Sequence, residues 1–167
     1  MNKKIHVSLD LVNALQIIAT ILHRQNIRWV VITSCGLALQ GLDFVPEDID
    51  ILTDFRGFER INHLLDEFKV ALSVHHQSDL HDSIISTFLI SNCRVEVISN
   101  FKVKLIKDNR WYLVDQLIEY SHNIEILDVT IPCLTLSKSI ELYKLMGRKK
   151  DMGKILKIKQ FMDQRLR

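Results

Sequence analysis

Two aspartates separated by one isoleucine, Asp48 and Asp50, have the spacing in this sequence that most clearly allows chemistry. The segment Asp48-Ile49-Asp50-Ile51 alternates charged with apolar residues, which is typical of a half-buried strand. Because side chains alternate between the faces of a strand, both carboxylates point one way and both isoleucines the other. Neighbouring carboxylates repel each other unless a cation lies between them, and their hard oxygens suit Mg²⁺.

A phosphate-binding turn is predicted just upstream of this pair. The apolar run Trp29–Ile32 reads as a buried strand, and small residues from Thr33 to Gly36 lead into a short helix. Backbone N–H groups and the Ser34 hydroxyl at such a helix start can bind a phosphate, although Ser34 could equally be a simple helix cap. A phosphate turn beside a carboxylate pair favours metal-dependent phosphoryl or nucleotidyl transfer.

Glu96 is the third acidic residue of interest. Residues 94–99 alternate again, with Val95 and Val97 facing one way and Glu96 the other. If this strand lies beside the aspartate strand, three carboxylates could hold two metal ions, and one could take a proton from an attacking hydroxyl. The alternatives are a solvated sheet face for the aspartates and an exposed hairpin charge for Glu96.

The composition indicates one soluble globular domain. The 167 residues are 47% apolar and 25% charged, with only two prolines and five glycines. The formal net charge of +2 is too close to zero to indicate nucleic-acid binding by itself, so RNA binding through the basic residues 144–167 stays a weaker hypothesis. No apolar run approaches transmembrane length, which predicts no membrane association.

The three cysteines, Cys35, Cys93 and Cys133, show no zinc-site spacing. They are typical of small buried residues in a reducing compartment, and the N-terminus lacks a signal-peptide core, so a cytoplasmic location is expected. The histidines at 75, 76 and 81 are interpreted as part of a polar loop rather than a metal cluster.

The order of predicted elements indicates an α+β fold: a mixed sheet flanked by helices, with a helical C-terminal segment. Within a single domain, residues 1–135 would form the core and residues 136–167 would pack on it. Ser8 and Asp54 are predicted helix caps. Helices are predicted at 8–25, 34–41, 56–68, 137–146 and 149–162, with Met152 and Leu156 among the buried residues of the last. Strands are predicted at 28–32, 48–53, 70–74, 84–90, 94–99, 124–127 and 130–134, a polar loop at 75–83 and a basic connector at 101–109, while 111–120 stays open between strand and helix.

These motifs resemble the polymerase-β-like nucleotidyltransferase superfamily, in particular its small bacterial single-domain members, which include antibiotic and toxin–antitoxin nucleotidyltransferases. The superfamily pattern is a hydrophobic residue, Gly, then Gly or Ser, a spacer, and Asp-hydrophobic-acid-hydrophobic, with a third acid on a later strand. Here the corresponding residues are Ile32-Thr33-Ser34, then Asp48-Ile49-Asp50-Ile51, and Val95-Glu96-Val97.

The resemblance implies a role for each residue. Asp48, Asp50 and Glu96 would be catalytic residues that bind Mg²⁺ in a two-metal site, with Glu96 acting as or orienting the general base. Thr33, Ser34 and the following turn would hold the phosphates of an NTP substrate, and Lys144, Lys150 or Asp151 could contact the nucleotide or acceptor. The acceptor would be a hydroxyl of a small molecule, a protein or an RNA, and pyrophosphate would be released.

Thr33 departs from the pattern, because the superfamily places glycine there. Glycine allows positive φ and close backbone approach to a phosphate, which threonine disfavours. The alternative hypothesis is therefore that the protein has this fold but is catalytically weak, and acts as a binding or antitoxin subunit with a protein partner.

Overall fold

Eight strands and five α-helices form between residues 7 and 166, the part of the chain that this computed structural model describes. The helices are α1 Leu9–His23, α2 Thr33–Leu39, α3 Phe55–Leu64, α4 Leu136–Met146 and α5 Met152–Arg165. The strands are β1 Trp29–Ile32, β2 Asp48–Thr53, β3 Val74–Gln77, β4 His81–Ile90, β5 Cys93–Leu105, β6 Arg110–Leu113, β7 Ser121–Ile126 and β8 Val129–Leu134. Short 3₁₀ segments occur at Asp66–Phe68, Val114–Glu119 and Lys149–Asp151.

The strands form one mixed sheet in the order β3-β4-β5-β2-β1-β8-β7, with β6 paired to the far half of β5. Two neighbouring pairs are parallel, β2 with β5 and β1 with β8, and the other pairs are antiparallel. The parallel pairing of β2 with β5 decides the site, because it brings together two strands that lie more than forty residues apart along the chain. The predicted α+β fold with a mixed sheet is confirmed.

Helices cover both faces of the sheet. Against one face, α1 buries its apolar stripe of Leu11, Leu15, Ile18 and Leu22 on the odd-numbered residues of β2 and β5. The first turn of α1 is capped by Ser8, whose Oγ accepts a hydrogen bond from the Leu11 N–H, as predicted. Asp54 likewise caps α3 through the Gly57 N–H, at 2.7 Å.

On the opposite face, α4 and the 3₁₀ segment Val114–Glu119 pack on Val30, Ile32 and Leu52. A third cluster, formed by Leu37, Leu42, Tyr143, Ile155 and Ile158, joins the short α2 to the two C-terminal helices. This cluster holds the C-terminal helices against the end of β1 and β2 at which Asp48 and Asp50 lie. The predicted C-terminal helices thus make apolar contacts with the sheet and with α2.

Several predicted boundaries were wrong. The segment at 75–83 is not a loop, since Val74–Gln77 forms an edge strand and His81 begins β4, while the predicted strand at 70–74 is reduced to its last residue. The connector at 101–109 is largely strand, because β5 continues to Leu105. In α5, Met152 and Leu156 are 60% and 57% exposed, so they are not core residues.

The segment at 111–120, unassigned from sequence, divides into the end of β6 and a 3₁₀ turn. The strands predicted at 124–127 and 130–134 form a hairpin, with Ile126 paired to Val129 across the turn. Cys35, Cys93 and Cys133 are buried and free. None of the helices found in residues 7–166 combines the length and apolar character needed to cross a membrane.

Candidate active site

The three predicted carboxylates lie on one face of two adjacent strands. Asp50 is directly opposite Glu96 in the parallel pairing of β2 with β5, and Asp48 is opposite Arg94. Neighbouring strands are about 4.8 Å apart, so this register places the Asp50 and Glu96 side chains next to each other. Both aspartates and Glu96 line one cleft with a volume of about 620 Å³. Ile49 and Ile51, which alternate with the aspartates, point into the opposite core, as the alternation predicted.

Crowding and burial disfavour the charged form of both aspartates. Burial, with a further contribution from the negative charge of Glu96, raises the pKa of Asp48 above its ordinary value. Burial raises the pKa of Asp50 to about 6, against the opposing effect of a hydrogen bond from Thr33. Asp48 and Glu96 add to the increase by charge repulsion. A cation placed between these groups would remove the repulsion.

Thr33 keeps the backbone conformation that glycine normally provides. Its φ is +58°, in the left-handed region, and it begins α2 directly after the buried strand β1. Its hydroxyl Oγ1 donates a hydrogen bond of 2.6 Å to Asp50 Oδ2. The threonine therefore reproduces the turn and adds a polar contact to one of the carboxylates. Both Thr33 and Ser34 line the cleft.

Glu96 also has a partner within the chain. The Arg94 guanidinium donates from Nε at 3.1 Å and from Nη2 at 2.5 Å, both to Glu96 Oε1. The Glu96 side chain is only 22% exposed, whereas the Arg94 side chain is 61% exposed. The exposed cation can thus move away without disturbing the core, which leaves Glu96 able to exchange partners.

A cationic wall faces the carboxylates across the cleft and consists of Arg148, Lys150 and Lys154. It follows α4, which is capped at its C-terminal end by Gly147 with a left-handed φ of +64°. Among the described residues, Lys150 has no ion-pair partner. Carboxylates on one side and three cations on the other suit a metal-bound polyphosphate.

Asp151 supports this wall from behind and does not line the cleft. Its side chain is fully buried and accepts hydrogen bonds from Arg148 Nε at 2.6 Å and from Arg148 Nη2 at 3.1 Å. Lys154 Nζ lies 3.8 Å from Asp151 Oδ1, the oxygen that also accepts from Arg148 Nη2, and 5.1 Å from the centre of the Tyr143 ring. Asp151 therefore holds two of the three cations in place. This role differs from the direct contact with the nucleotide or acceptor that was predicted for it.

An apolar wall completes the cleft, formed by Ile85, Ile98, Phe101 and Met146. Phe101 reaches it because β5 changes direction at Asn100, which has a φ of +50° at a register shift opposite β4. The buried Asp115 holds this bend, accepting the backbone N–H of Asn100 and of Phe101, each at 2.9 Å. Burial raises the pKa of Asp115 to about 6 in spite of these two hydrogen bonds.

The structure thus brings six of the eight predicted site residues to one cleft: Thr33, Ser34, Asp48, Asp50, Glu96 and Lys150. The other two do not line it: Asp151 lies beneath the cleft, and Lys144 lines a separate neighbouring groove. Sequence reasoning missed Arg148, Lys154 and Phe101. The first two carried a signal, since Asp151 has a basic residue three positions before it and another three positions after it, which is the spacing of neighbours on a helix.

The donor set fits a hard divalent cation, although it is not gathered into a finished metal site. Among residues 7–166, no three His, Cys, Asp or Glu side chains are close enough together to hold a metal ion. Two of the three carboxylates are instead bound by chain residues, Asp50 by Thr33 and Glu96 by Arg94. Carboxylate oxygens that share a face and repel one another are suitable Mg²⁺ ligands once these side chains turn.

Comparison with known proteins agrees with this architecture. One solved structure, from Thermotoga maritima and described as that of a candidate nucleotidyltransferase, is 26% identical, with a TM-score of 0.74 over 90% of this chain and 91% of that one. The structure of ANT(2'')-Ia in complex with adenylyl-2''-tobramycin has a TM-score of 0.57 at 9% identity, over 90% of this chain and 88% of that one, and so shares the fold.

No curated protein matches the sequence. A sequence model of the aminoglycoside-2''-adenylyltransferase family does, over residues 14–158, which is most of the chain. The resemblance to nucleotidyltransferases read from the motifs is confirmed by this match and by both structural neighbours. The chain belongs to the aminoglycoside-2''-adenylyltransferase family.

Proposed function

We propose that this protein is a Mg²⁺-dependent nucleotidyltransferase that moves a nucleoside monophosphate from an NTP to an acceptor hydroxyl. The observation that carries the proposal is the register of β2 with β5, which sets Asp50 opposite Glu96 in a cleft whose far wall is cationic. The family description favours ATP as the donor and a small molecule as the acceptor.

Asp48 and Asp50 would hold the metal ion together with phosphate oxygens, and Glu96 would complete a second site after Arg94 turns away. Bound Mg²⁺ would supply charge neutralisation of the phosphates and a lower pKa for the attacking hydroxyl. The cationic wall, with Lys150 as its unpaired member, would hold the β- and γ-phosphates. Thr33 and Ser34 would line the phosphate end of the cleft.

The reaction is an in-line displacement at the α-phosphorus. The acceptor oxygen forms a bond to the α-phosphorus as the bond from that phosphorus to the bridging oxygen of the β-phosphate breaks. Pyrophosphate leaves with the electrons of that bond. The acceptor proton passes to a carboxylate of the cleft, for which Glu96 is placed on the same face as both aspartates.

The alternative hypothesis, a catalytically weak binding or antitoxin subunit, rests on the departure from the superfamily pattern at Thr33. The left-handed φ of Thr33, which glycine normally provides, and its hydrogen bond to Asp50 support the enzyme rather than this alternative. The two hypotheses predict different effects of replacing Asp50, since a binding subunit would still bind its protein partner without this carboxylate.

The test is transfer of label from α-³²P-labelled NTPs, with and without Mg²⁺, to extracted small molecules, protein and RNA. We expect Asp48→Asn and Asp50→Asn each to reduce transfer by at least about 100-fold, as loss of a charge-stabilising group does in other enzymes. Asp128→Asn is the matched control, because Asp128 is exposed in the β7–β8 turn, away from the cleft. Full transfer by the double variant, or transfer that needs no divalent metal, would overturn the proposal.

A further inference from the structure

A second depression, here called the apolar groove, adjoins the cleft. It lies between the C-terminal end of α4 and the far end of the β4–β5 hairpin, and has a volume of about 320 Å³. Its apolar lining consists of Leu80, Val103, Leu105, Ile106, Leu145 and Met146. Ile106 is 88% exposed and Leu80 is 43% exposed, so the groove presents apolar surface that the fold leaves uncovered.

The groove is continuous with the cleft. Met146 lines both, and the Phe101 ring of the cleft lies 6.5 Å, centre to centre, from the His81 ring of the groove. The cleft alone is within the size range of small-molecule sites, about 300–1,000 Å³, and already offers carboxylates, cations and an apolar wall to a nucleotide. The groove therefore gives room for a second molecule that reaches the same carboxylates.

The charges around the groove do not favour an amine. Its one lining carboxylate, Glu141, is engaged by Lys138 Nζ at 2.6 Å and by the Tyr112 hydroxyl at 3.2 Å. Lys144, at the same rim, has no ion-pair partner among the described residues. A polycationic ligand would meet an unpaired lysine here and no free carboxylate, whereas an apolar group would cover apolar surface.

We propose that the apolar groove is the acceptor subsite, and that the acceptor carries an aryl or alkyl group rather than a polyamine where it contacts this groove. The apolar group lies in the groove while the acceptor hydroxyl extends past Met146 and Phe101 to the carboxylates. This inference rests on the proposed nucleotidyl transfer and narrows its substrate class. It separates this chain from the relative whose structure contains adenylyl-2''-tobramycin.

The first test uses the full chain and the apolar fluorescent probe 8-anilinonaphthalene-1-sulfonate. We expect saturable binding that Leu80→Asp and Ile106→Asp each weaken about tenfold, because a charge is placed against the probe's apolar rings. Both side chains are exposed, so the fold should tolerate the change. Leu127→Asp, at a residue 69% exposed in the distant β7–β8 turn, is the matched control and should bind the probe like the unaltered protein.

Competition between the probe and Mg²⁺–ATP distinguishes the two possible occupants of the groove, the acceptor and the nucleobase. If the groove is the acceptor subsite, saturating Mg²⁺–ATP leaves the probe bound. Displacement of the probe by Mg²⁺–ATP would assign the groove to the nucleobase, and equal binding by all variants would place the probe elsewhere; either result overturns the proposal. These experiments measure only the binding of the probe, so they test the assignment of the groove even if the protein transfers no nucleotide.

The second test compares acceptors directly. With labelled ATP, we expect transfer to an aryl glycoside such as 4-nitrophenyl β-glucoside to exceed transfer to tobramycin, and to fall about tenfold in kcat/KM in Leu80→Asp but not in Leu127→Asp. A preference for tobramycin that both variants retain would overturn the acceptor class. Loss of transfer to every acceptor, with probe binding intact, would count against the proposed function and not against the groove.

Discussion

Thr33 and Asp50 are joined by a hydrogen bond of 2.6 Å from Thr33 Oγ1 to Asp50 Oδ2. The bond links the turn after β1 to the first half of β2, where Ile32 is paired with Asp50 across the antiparallel ladder. A non-glycine residue in the left-handed region costs of order 1 kcal/mol or more, and a β-branched one is a rarer case. Hydrogen bonds to charged groups contribute about 1.5–3 kcal/mol, so the bond to Asp50 is of the size needed to offset that cost.

The first prediction concerns the Thr33 hydroxyl. Thr33→Val keeps the shape and removes the donor, so Asp50 loses the interaction that holds its pKa down and fixes its orientation. We expect Mg²⁺-dependent transfer to fall at least about tenfold in kcat with Thr33→Val and to stay within about threefold with Thr33→Ser, which retains the donor. Steady-state kinetics of both variants checks this. Equal kinetics for Val and Ser would show that the hydroxyl plays no part.

The second prediction is the pH dependence of stability that Asp50 contributes. Its pKa of about 6 in the folded chain exceeds the ordinary value of 3.8, so between those values the folded state binds more protons than the unfolded state. The free energy of unfolding therefore falls as pH rises through this window. We expect Asp50→Asn to be more stable than the unaltered protein at pH 7, by roughly 1–2 kcal/mol, and equal to it near pH 4.

Urea denaturation at pH 4, 5.5 and 7 without divalent metal measures this difference, with Asp128→Asn as a control that should not change it. Comparison of the two proteins isolates Asp50 from Asp115, whose pKa is also about 6. A variant less stable than the unaltered protein at pH 7 would contradict the assigned pKa direction.

The third prediction links the same carboxylate to metal binding. A ligand carboxylate must lose its proton before it binds a cation, so affinity for Mg²⁺ should weaken as pH falls below about 6, approaching tenfold per pH unit for one proton. Calorimetric titration of Mg²⁺–ATP between pH 5 and 8 measures it, and proton release should appear as a dependence of the heat on buffer. An affinity that does not change across this range would argue against Asp50 as a ligand.

The fourth prediction tests the close approach of α2 to β1. A Cβ built on Gly36 would lie 2.8 Å from the Val31 carbonyl oxygen, and that neighbour is backbone that cannot turn aside. Gly36→Ala should therefore push α2 away from the strand and lower the free energy of unfolding by about 1–3 kcal/mol. Gly153→Ala is the matched control, since a Cβ there meets nothing within 4 Å. Equal stability of the two variants would contradict the packing.

The fifth prediction concerns the bend in β5. Asp115 uses both oxygens to accept the Asn100 and Phe101 N–H groups, and an asparagine offers only one acceptor. Asp115→Asn should leave one buried N–H without a partner and cost about 1–3 kcal/mol of stability. Because Phe101 lines the cleft, KM for the nucleotide or acceptor should rise as well. Unchanged stability together with a changed KM would show that Asp115 shapes the cleft without contributing to stability.

The local sequence pattern was sufficient to identify the three carboxylates of the cleft. Alternation in Asp48-Ile49-Asp50-Ile51 and in Val95-Glu96-Val97 predicted which side chains face together, because one face of each strand is buried. The cap residues Ser8 and Asp54 were also readable, since their role is decided within one helical turn.

The features that could not be predicted from the sequence depend on tertiary contacts. The edge strand β3 has four exposed residues and hence no apolar alternation to detect. The far half of β5 changes the face of its side chains at Asn100, which breaks the period of two. Arg148 and Lys154 reach the cleft only because the cluster around Tyr143 packs the last two helices on α2.

The buried carboxylate of Asp151 has a consequence for the order in which the protein matures. The residues that it orders, Arg148 and Lys154, are translated about a hundred positions after Asp48 and Asp50. A nascent chain on the ribosome therefore carries its acidic residues before it contains the basic residues that are proposed to hold the phosphates. Such a chain would be inert towards cellular nucleotides until its final helices emerge and dock.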